Sequence, residues 1–452
     1  MKKYFLFFLL QIFLSVAFAQ FSVSENKHYL LKEGKPFFWL GDTGWELFHR
    51  LTREQADFYL KRRAEQGFTV IQAVALAEFD GLHTPNPYGH LPLHSDDPLQ
   101  PDESYFKDVD YIIDKAAEYN LTIAFLPTWG DKIWKSDWGK GPEIFNPSNA
   151  KSYGRWLGNR YKNRQNIIWI LGGDRNPRND SDLEIWRAMA AGINEGVGGK
   201  DKALISFHPQ PNERGSREYF DLDEWLDFNM FQNGHCRDSR VFDKMHDSYM
   251  RIPFKPVIDA EPIYEDHPVC FNVKDLGTSS AYDIRKYAYF DLFAGAFGHT
   301  YGCHDIWQFY SPEREAVNGP HVYWQQALEL PGALQMQYVK KLMESHSMLD
   351  RIPDQSLIAE NNLPATERIQ ATRGPDYIFI YSAAGKSFTV NHGKISGSKL
   401  NASWFNPRNG QIKKIDMVLN QGQQKFIPPT SGYGQDWVLI LDDASNNEAT
   451  LQ

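Results

Sequence analysis

Short apolar runs alternate with helical patterns eight times between Pro36 and Ser345, and this alternation is the strongest constraint on the fold. Ile167–Gly172 is typical, because it is almost wholly apolar and is closed by glycines, as a strand buried on both faces would be. A helix after each strand returns the chain, so consecutive strands run parallel. Eight such units predict an α/β fold, a (β/α)8 TIM barrel.

An open, doubly wound parallel sheet is the alternative fold. It would carry a G-x-G-x-x-G fingerprint after its first strand. The segment Gly41-Asp42-Thr43-Gly44 follows the first predicted strand and does not supply that pattern. The barrel is therefore the favoured interpretation.

The predicted strands cover residues 36–41, 69–76, 122–127, 167–172, 203–207, 228–231 and 256–261, with the eighth inside 299–309. Helix starts are marked by capping patterns. Thr52 and Gln55 form a capping box, Asn146 is followed by Pro147, and Ser181 with Glu184 predicts a further box.

The pattern changes near Pro353, where short strands separated by Gly, Pro and Asn turns replace the helical periodicity. This sequence pattern predicts a small antiparallel β-sandwich. The predicted organisation is a signal peptide at residues 1–19, the barrel at 20–350 and the C-terminal β-sandwich domain at 351–452.

The N-terminus has the pattern of a secretory signal peptide. Lys2 and Lys3 are basic, Tyr4–Val16 is apolar, and Ala17-Phe18-Ala19 is an A-x-A cleavage site before Gln20. Cleavage after Ala19 predicts a periplasmic or secreted protein. No later stretch is long and apolar enough to insert into a membrane.

The charge balance argues against nucleic acid as a partner. The chain has 48 basic and 57 acidic residues, which gives 48 − 57 = −9, and no basic run stands out. An acidic chain repels a phosphate backbone.

Three cysteines, Cys236, Cys270 and Cys303, leave at least one thiol free. We interpret them as packing residues, and one disulfide would be possible in an oxidising compartment.

Two carboxylates, Asp174 and Glu261, follow the fourth and seventh predicted strands. Although 261 − 174 = 87 residues separate them, closure of the barrel would bring both to the catalytic rim. Glycoside hydrolysis needs one acid to protonate the leaving oxygen and a second carboxylate on the opposite face of the sugar. We therefore predict Asp174 as acid/base and Glu261 as nucleophile. If both acids were instead solvated loop residues, this prediction would fail.

Further rim residues are candidates for binding the sugar, through hydrogen bonds or aromatic stacking. They are Asp42, Trp45, His83, Trp129, Asp131, Arg175, His208, Gln232, Asn233, His304 and Trp307. Glu78, Asp259 and Asp305 are competing carboxylates at or near strand ends, and each could equally be structural. No H-E-x-x-H, H-x-H or G-x-S-x-G pattern is present, so neither a metal, a cofactor nor a serine nucleophile is expected.

Several motifs resemble a known group of glycosidase-like barrels. FFWLGDTGWELF, NIIWILGGDRNP, PVIDAEPIYE and GHTYGCHDIWQF look like the DUF4038 group, and most like glycoside hydrolase family 140. ASWFNPRNGQ and WVLILD resemble the collagen-binding-type β-domain that often follows such barrels.

The resemblance implies a bacterial apiosidase acting on side chains of the pectin rhamnogalacturonan II. It also implies an acid/base after strand four and a nucleophile after strand seven, which match Asp174 and Glu261. The wider clan usually has Asn-Glu after strand four, where this chain has Gly173-Asp174. The implied partner is an oligo- or polysaccharide, and the implied assembly is a monomer or weak oligomer. A glycosidase for another sugar, such as an arabinofuranosidase or galactosidase, and a non-catalytic glycan-binding barrel are the alternatives.

Overall fold

The computed structural model describes residues 20–360 and 363–446, so the predicted signal peptide lies outside the described residues. A small antiparallel sheet precedes the barrel, and its second turn lies at Glu33-Gly34. Its strands are β1 (Phe21–Val23), β2 (Leu30–Lys32) and β3 (Lys35–Phe37).

Eight parallel strands form the barrel, which confirms the predicted fold class. They are β4 (Trp39–Thr43), β5 (Val70–Leu76), β6 (Thr122–Thr128), β7 (Ile167–Gly172), β8 (Ile205–His208), β9 (Asn229–Gln232), β10 (Val257–Glu261) and β11 (Gly298–Tyr301). Ladders join β11, β4, β5, β6, β7 and β8 in that order, and β9 pairs with β10. Single hydrogen bonds close the ring, from Asp227 N to Ile205 O (2.9 Å) and from Phe297 N to Val257 O (3.0 Å).

The helices pack around this ring. They are α1 (Leu47–Arg50), α2 (Arg53–Glu65), α3 (Glu103–Glu118), α4 (Pro147–Tyr161), α5 (Asp180–Val197), α6 (Arg217–Phe220), α7 (Val241–Met250), α8 (Val273–Leu276), α9 (Ala281–Phe293), α10 (His304–Trp307), α11 (Trp324–Ala327) and α12 (Pro331–Glu344). The capping box predicted at Thr52 is present, and the cap predicted at Asn146 is also a capping box, with Pro147 at the first helical position.

Two local predictions were wrong. Asn179 caps α5 in place of Ser181, because its side-chain oxygen accepts the N–H groups of Ser181 and Asp182 at 3.0 and 3.2 Å. The eighth strand ends at Tyr301, and the segment expected to continue it forms the short helix α10. There the Ile306 and Trp307 N–H groups both bond to the Cys303 carbonyl, which turns the chain out of the sheet.

Side-chain alternation along the strands separates two apolar layers. In β7, Ile168 and Ile170 point into the barrel, whereas Trp169 and Leu171 pack against the helices. This is the period-two pattern that a strand imposes, and it fills the interior rather than leaving a pore. The polar site is therefore confined to the mouth.

The C-terminal domain is the predicted antiparallel β-sandwich. Its strands are β12 (Ile352–Pro353), β13 (Ile369–Arg373), β14 (Tyr377–Ser382), β15 (Phe388–Asn391), β16 (Lys399–Phe405), β17 (Ile412–Lys414), β18 (Val418–Leu419), β19 (Gln423–Phe426) and β20 (Trp437–Asp443). The larger sheet has the order β12-β13-β14-β20-β16-β17, and β15 pairs with β19 in a second sheet. The sequence did not indicate β18 and β19, because β18 has only two residues and β19 is largely polar.

The β-domain packs on α9, which is buried along almost its whole length. Arg285 of that helix forms a bidentate, buried ion pair with Asp436, at 2.7 and 3.0 Å. Nearby, the Tyr282 hydroxyl donates to the Ala383 carbonyl at 3.0 Å. The two domains therefore share a packed interface.

Cys236 and Cys270 form a disulfide, and Cys303 is a buried free thiol. Across residues 20–360 and 363–446, none of the helices combines the length and apolar character needed to cross a bilayer.

Candidate active site

A cavity of about 570 Å³ opens at the carboxyl ends of the barrel strands, where barrel enzymes place their catalytic groups. Asp174 and Glu261 both line it. Six of the predicted residues reach this cavity, namely Trp45, Trp129, Asp174, Gln232, Glu261 and Trp307.

The backbone path after β7 places Asp174 at the cavity. Gly172, Gly173 and Asp174 have φ values of 87°, 112° and 51°, so three consecutive residues lie in the left-handed region. A Cβ on Gly172 would meet the His208 carbonyl, and one on Gly173 would meet the Trp129 ring. Glycine is therefore required twice before the acid.

Asp174 has a pKa raised from 3.8 to about 6. Burial is the main cause, and the negative charge of Glu261 adds to it. Arg175, His208 and Gln232 oppose the shift, and Arg175 Nη1 lies 3.2 Å from Asp174 Oδ2. A carboxyl adjusted in this way can hold a proton near neutral pH and return to the ionised form, as a general acid/base must.

Glu261 ends β10, where the register with β9 shifts between Asp259 and Glu261. His208 Nε2 lies 3.1 Å from Oε2 of Glu261 without hydrogen-bond geometry, and His235 Nε2 lies 3.7 Å from Oε1. Burial and the negative charge of the neighbouring Glu261 raise the pKa of the Tyr264 hydroxyl, which receives the Trp45 Nε1–H at 3.0 Å. The Glu261 carboxylate is thus flanked on several sides while it still faces the cavity.

Aromatic rings form much of the cavity wall. Trp45 and Trp129 lie 5.3 Å apart between ring centroids, and Phe79 lies 5.2 Å from Trp307. Trp138 stands at the mouth with more than half of its surface exposed, and the Arg175 guanidinium covers one face at 4.6 Å. Flat rings of this kind offer apolar faces on which a sugar ring could stack.

Two predicted sugar-binding acids are instead structural. Asp42 is fully buried and accepts hydrogen bonds from Arg63 Nε and the Tyr59 hydroxyl, both at 2.6 Å. Asp131 is equally buried and pairs with Lys132 at 2.6 Å. Neither carboxylate lines the cavity, because each neutralises a cation inside the barrel wall.

The other predicted residues lie behind the residues that line the cavity, or lie outside it. Asn233 Nδ2 donates to Asp259 Oδ2 at 2.8 Å, and neither side chain lines the cavity. His304 accepts the Trp307 Nε1–H at 3.3 Å and holds that ring. His83 is exposed and contacts Asp80 and Asp96, which places it in the loop rather than in the cavity. Arg175 Nη1 lies 3.2 Å from Asp174 Oδ2, and His208 Nε2 lies 3.1 Å from Glu261 Oε2, so both residues stand beside the two acids.

Sequence reasoning did not select several cavity residues. They are Phe79, Trp138, Gln210, Pro211, Gly234, His235, Tyr264, His267, Phe271, Val317 and Asn318, together with Glu78, which was considered only as a competing acid. Tyr264 lies three residues after Glu261, inside the PVIDAEPIYE motif, and this closeness was a usable signal. Trp138 and Phe271 come from irregular loops, where no periodicity marks a functional residue.

The clustered histidines do not form a metal site. In residues 20–360 and 363–446, no group of three or more His, Cys, Asp or Glu side chains is arranged to hold a metal ion. His235 and His267 stack at 3.9 Å, and burial lowers the pKa of each to about 3. These rings are therefore neutral and contribute hydrogen-bonding and stacking surfaces.

Comparisons with known proteins agree with this geometry. The family model "Apiosidase-like, catalytic domain" matches residues 24–350, and "Putative collagen-binding domain of a collagenase" matches residues 352–442. A structure described as a glycoside hydrolase is 36% identical, with a TM-score of 0.87, over 95% of this chain and 98% of the other. A glycoside hydrolase family 5 structure from Bacteroides vulgatus ATCC 8482 is 34% identical, with a TM-score of 0.87, over 95% of both chains. No curated protein matches. The chain is therefore a glycoside hydrolase that belongs to the apiosidase-like family.

Proposed function

We propose that the protein is a retaining apiosidase that removes apiose-linked side chains from rhamnogalacturonan II. The observation that carries the proposal is the meeting of Asp174 and Glu261 in one cavity, with the proton affinity of Asp174 raised in part by the charge of Glu261. Two carboxyls in different electrostatic environments are the equipment that glycoside hydrolysis requires.

The proposed reaction has two displacements. Glu261 attacks the anomeric carbon and forms a glycosyl-enzyme ester, while the Asp174 proton moves to the leaving oxygen as the glycosidic bond breaks. Asp174, now ionised, takes a proton from water. The resulting hydroxide oxygen attacks the anomeric carbon, the ester bond breaks, and Glu261 is restored as a carboxylate. Tyr264 keeps the nucleophile oriented throughout.

The test is release of apiose-terminated fragments from rhamnogalacturonan II, with arabinofuranosides and galactosides assayed in parallel. Turnover of the apiose substrate that is lost in both Asp174→Ala and Glu261→Ala supports the proposal. Preferred cleavage of an arabinofuranoside or galactoside would assign another sugar, and binding without any hydrolysis would assign a glycan-binding role.

The stereochemical part is tested with azide. In Asp174→Ala, azide replaces water in the second displacement, so the product azide keeps the configuration of the substrate. In Glu261→Ala, azide occupies the place of the nucleophile and gives the opposite configuration. The reverse pattern would contradict the assigned roles.

We also propose that the protein acts outside the cytoplasm. The signal-like pattern of residues 1–19 supports this, and the Cys236–Cys270 disulfide suits an oxidising compartment. N-terminal sequencing of the mature protein should begin at Gln20, and an unprocessed Met1 on protein recovered from the periplasm would contradict cleavage.

A further inference from the structure

Glu78 is a third carboxyl in the catalytic cavity that the two-acid reaction does not use. It follows β5 by two residues and lines the cavity together with Asp174. Among the described residues, its carboxyl has neither a hydrogen-bond donor nor a cation as partner, although its backbone carbonyl accepts from Gly81. A cavity carboxyl with no protein partner has its hydrogen-bonding capacity free for a ligand.

The charges that face Glu78 come from three neighbouring segments. Asp174 and Arg175 follow β7, Asp131 follows β6, and Glu46 follows β4. The three acids all disfavour a negative charge on Glu78, and only Arg175 opposes them. Burial acts in the same direction as the acids, so the pKa of Glu78 is raised from 4.5 to about 8.

The cations close to this segment already have other partners. Lys132 Nζ pairs with Asp131 at 2.6 Å and donates to the Ala77 carbonyl at 2.8 Å. Arg175 Nη1 donates to the Asp174 carbonyl at 2.6 Å and contacts its carboxylate at 3.2 Å. Arg50 Nε lies 3.6 Å from Oε2 of Glu46 and so pairs with that acid. A charge on Glu78 would therefore be left uncompensated, which is costly in a partly buried site.

We propose that Glu78 binds the substrate as a neutral carboxylic acid, donating its O–H to a sugar hydroxyl or ring oxygen beside Asp174. This inference rests on the proposed glycosidase reaction and adds a third working carboxyl to it. Neutrality has a second consequence, because a charged Glu78 would raise the pKa of Asp174 further. The neutral form binds the sugar without disturbing the proton affinity of the acid/base.

The kinetic test compares Glu78→Ala and Glu78→Gln, with the exposed Glu118→Gln as a matched control. Loss of one hydrogen bond in Glu78→Ala should lower kcat/KM about 10-fold. The Gln amide is neutral and still donates a hydrogen bond, so Glu78→Gln should lower kcat/KM by no more than about 3-fold. Equal losses in both variants, or no loss in Glu78→Ala, would overturn the proposal.

The pH profile separates a neutral from an ionised Glu78. If Glu78 is neutral in the working range, Glu78→Gln leaves the Asp174 limb of kcat/KM in place. If it is ionised, removal of its charge moves that limb to lower pH, and this result would overturn the proposal.

An infrared measurement decides the point without any substrate. The wild-type minus Glu78→Gln difference spectrum at pH 6.5 should contain the carbonyl band of one protonated carboxyl, and its absence would refute neutrality. If the wild type cleaves no glycan, the proposed function fails, while this spectrum still tests Glu78.

Discussion

Replacement of Asp174 by Asn is the perturbation that tests the site most directly. The amide keeps the size of the side chain but cannot deliver a proton to a leaving oxygen. With a pKa of about 6 in place of 3.8, about one Asp174 in ten is protonated at pH 7, against fewer than about one in a thousand for an ordinary aspartate. The structure thus raises the protonated fraction about 100-fold.

The expected loss depends on the leaving group. General acid catalysis accelerates such reactions by about 10²- to 10⁴-fold, so Asp174→Asn should lower kcat/KM on the natural glycan by that factor. A nitrophenyl leaving group departs without protonation, so bond cleavage from it should fall far less. The first turnover of a nitrophenyl glycoside, measured by stopped flow, isolates that step from the later hydrolysis of the ester.

The pH dependence gives the sign of the effect. Because Asp174 must be protonated in the free enzyme, wild-type kcat/KM should fall as pH rises through about 6. Asp174→Asn should lack this limb. Equal losses on both leaving groups, or an unchanged alkaline limb in Asp174→Asn, would refute the assignment of Asp174 as acid/base.

Three further predictions concern the surroundings of the site and the interface between the two domains. Gly172→Ala should destabilise the fold by more than about 3 kcal/mol in denaturant unfolding, since strain and a backbone clash combine. Gly198 has a similar positive φ, but a Cβ placed there would meet open space. Gly198→Ala should therefore lower the free energy of unfolding by only about 1 kcal/mol. Equal losses in the two variants would contradict the clash at Gly172. Tyr264→Phe should lower kcat about 10-fold with little change in KM, because the nucleophile Glu261 loses its neighbouring hydroxyl, and a change confined to KM would contradict this role. Asp436→Ala should lower the free energy of unfolding by about 3–5 kcal/mol, because it leaves the buried Arg285 without its carboxylate partner. An unchanged melting temperature would contradict the importance of that pair.

The fold was largely predictable because its signals are local and repeated. Helix starts are indicated by the capping patterns at Thr52 and Asn146, and a buried strand is indicated by the apolar run Ile167–Gly172. The alternation of strands and helices then predicts how they connect. The misplaced end of the eighth strand shows the limit of this reasoning. Residues after Tyr301 keep an aromatic, strand-like composition, but the Cys303 carbonyl turns them into a helix.

The site was less predictable, because side-chain partners are non-local. Asp42 and Asp174 both lie at or just beyond the end of a buried strand, yet Arg63 neutralises the first inside the wall while the second faces the cavity. No spacing in the sequence distinguishes these outcomes. Glu78 shows the converse, since its proposed role depends on its carboxyl having no partner in the part of the chain that the structure describes, which only the arrangement of three other segments reveals.

The burial of α9 changes how the boundary between the two domains should be understood. Family models divide the chain near residue 351, but a protein cut there would expose Tyr289 and Phe293, which now pack against Tyr381 and Phe379. The β-domain thus covers a face of the barrel helix α9 that would otherwise be exposed to solvent. The match of the β-domain to a family of its own therefore does not make it a separable part of this enzyme.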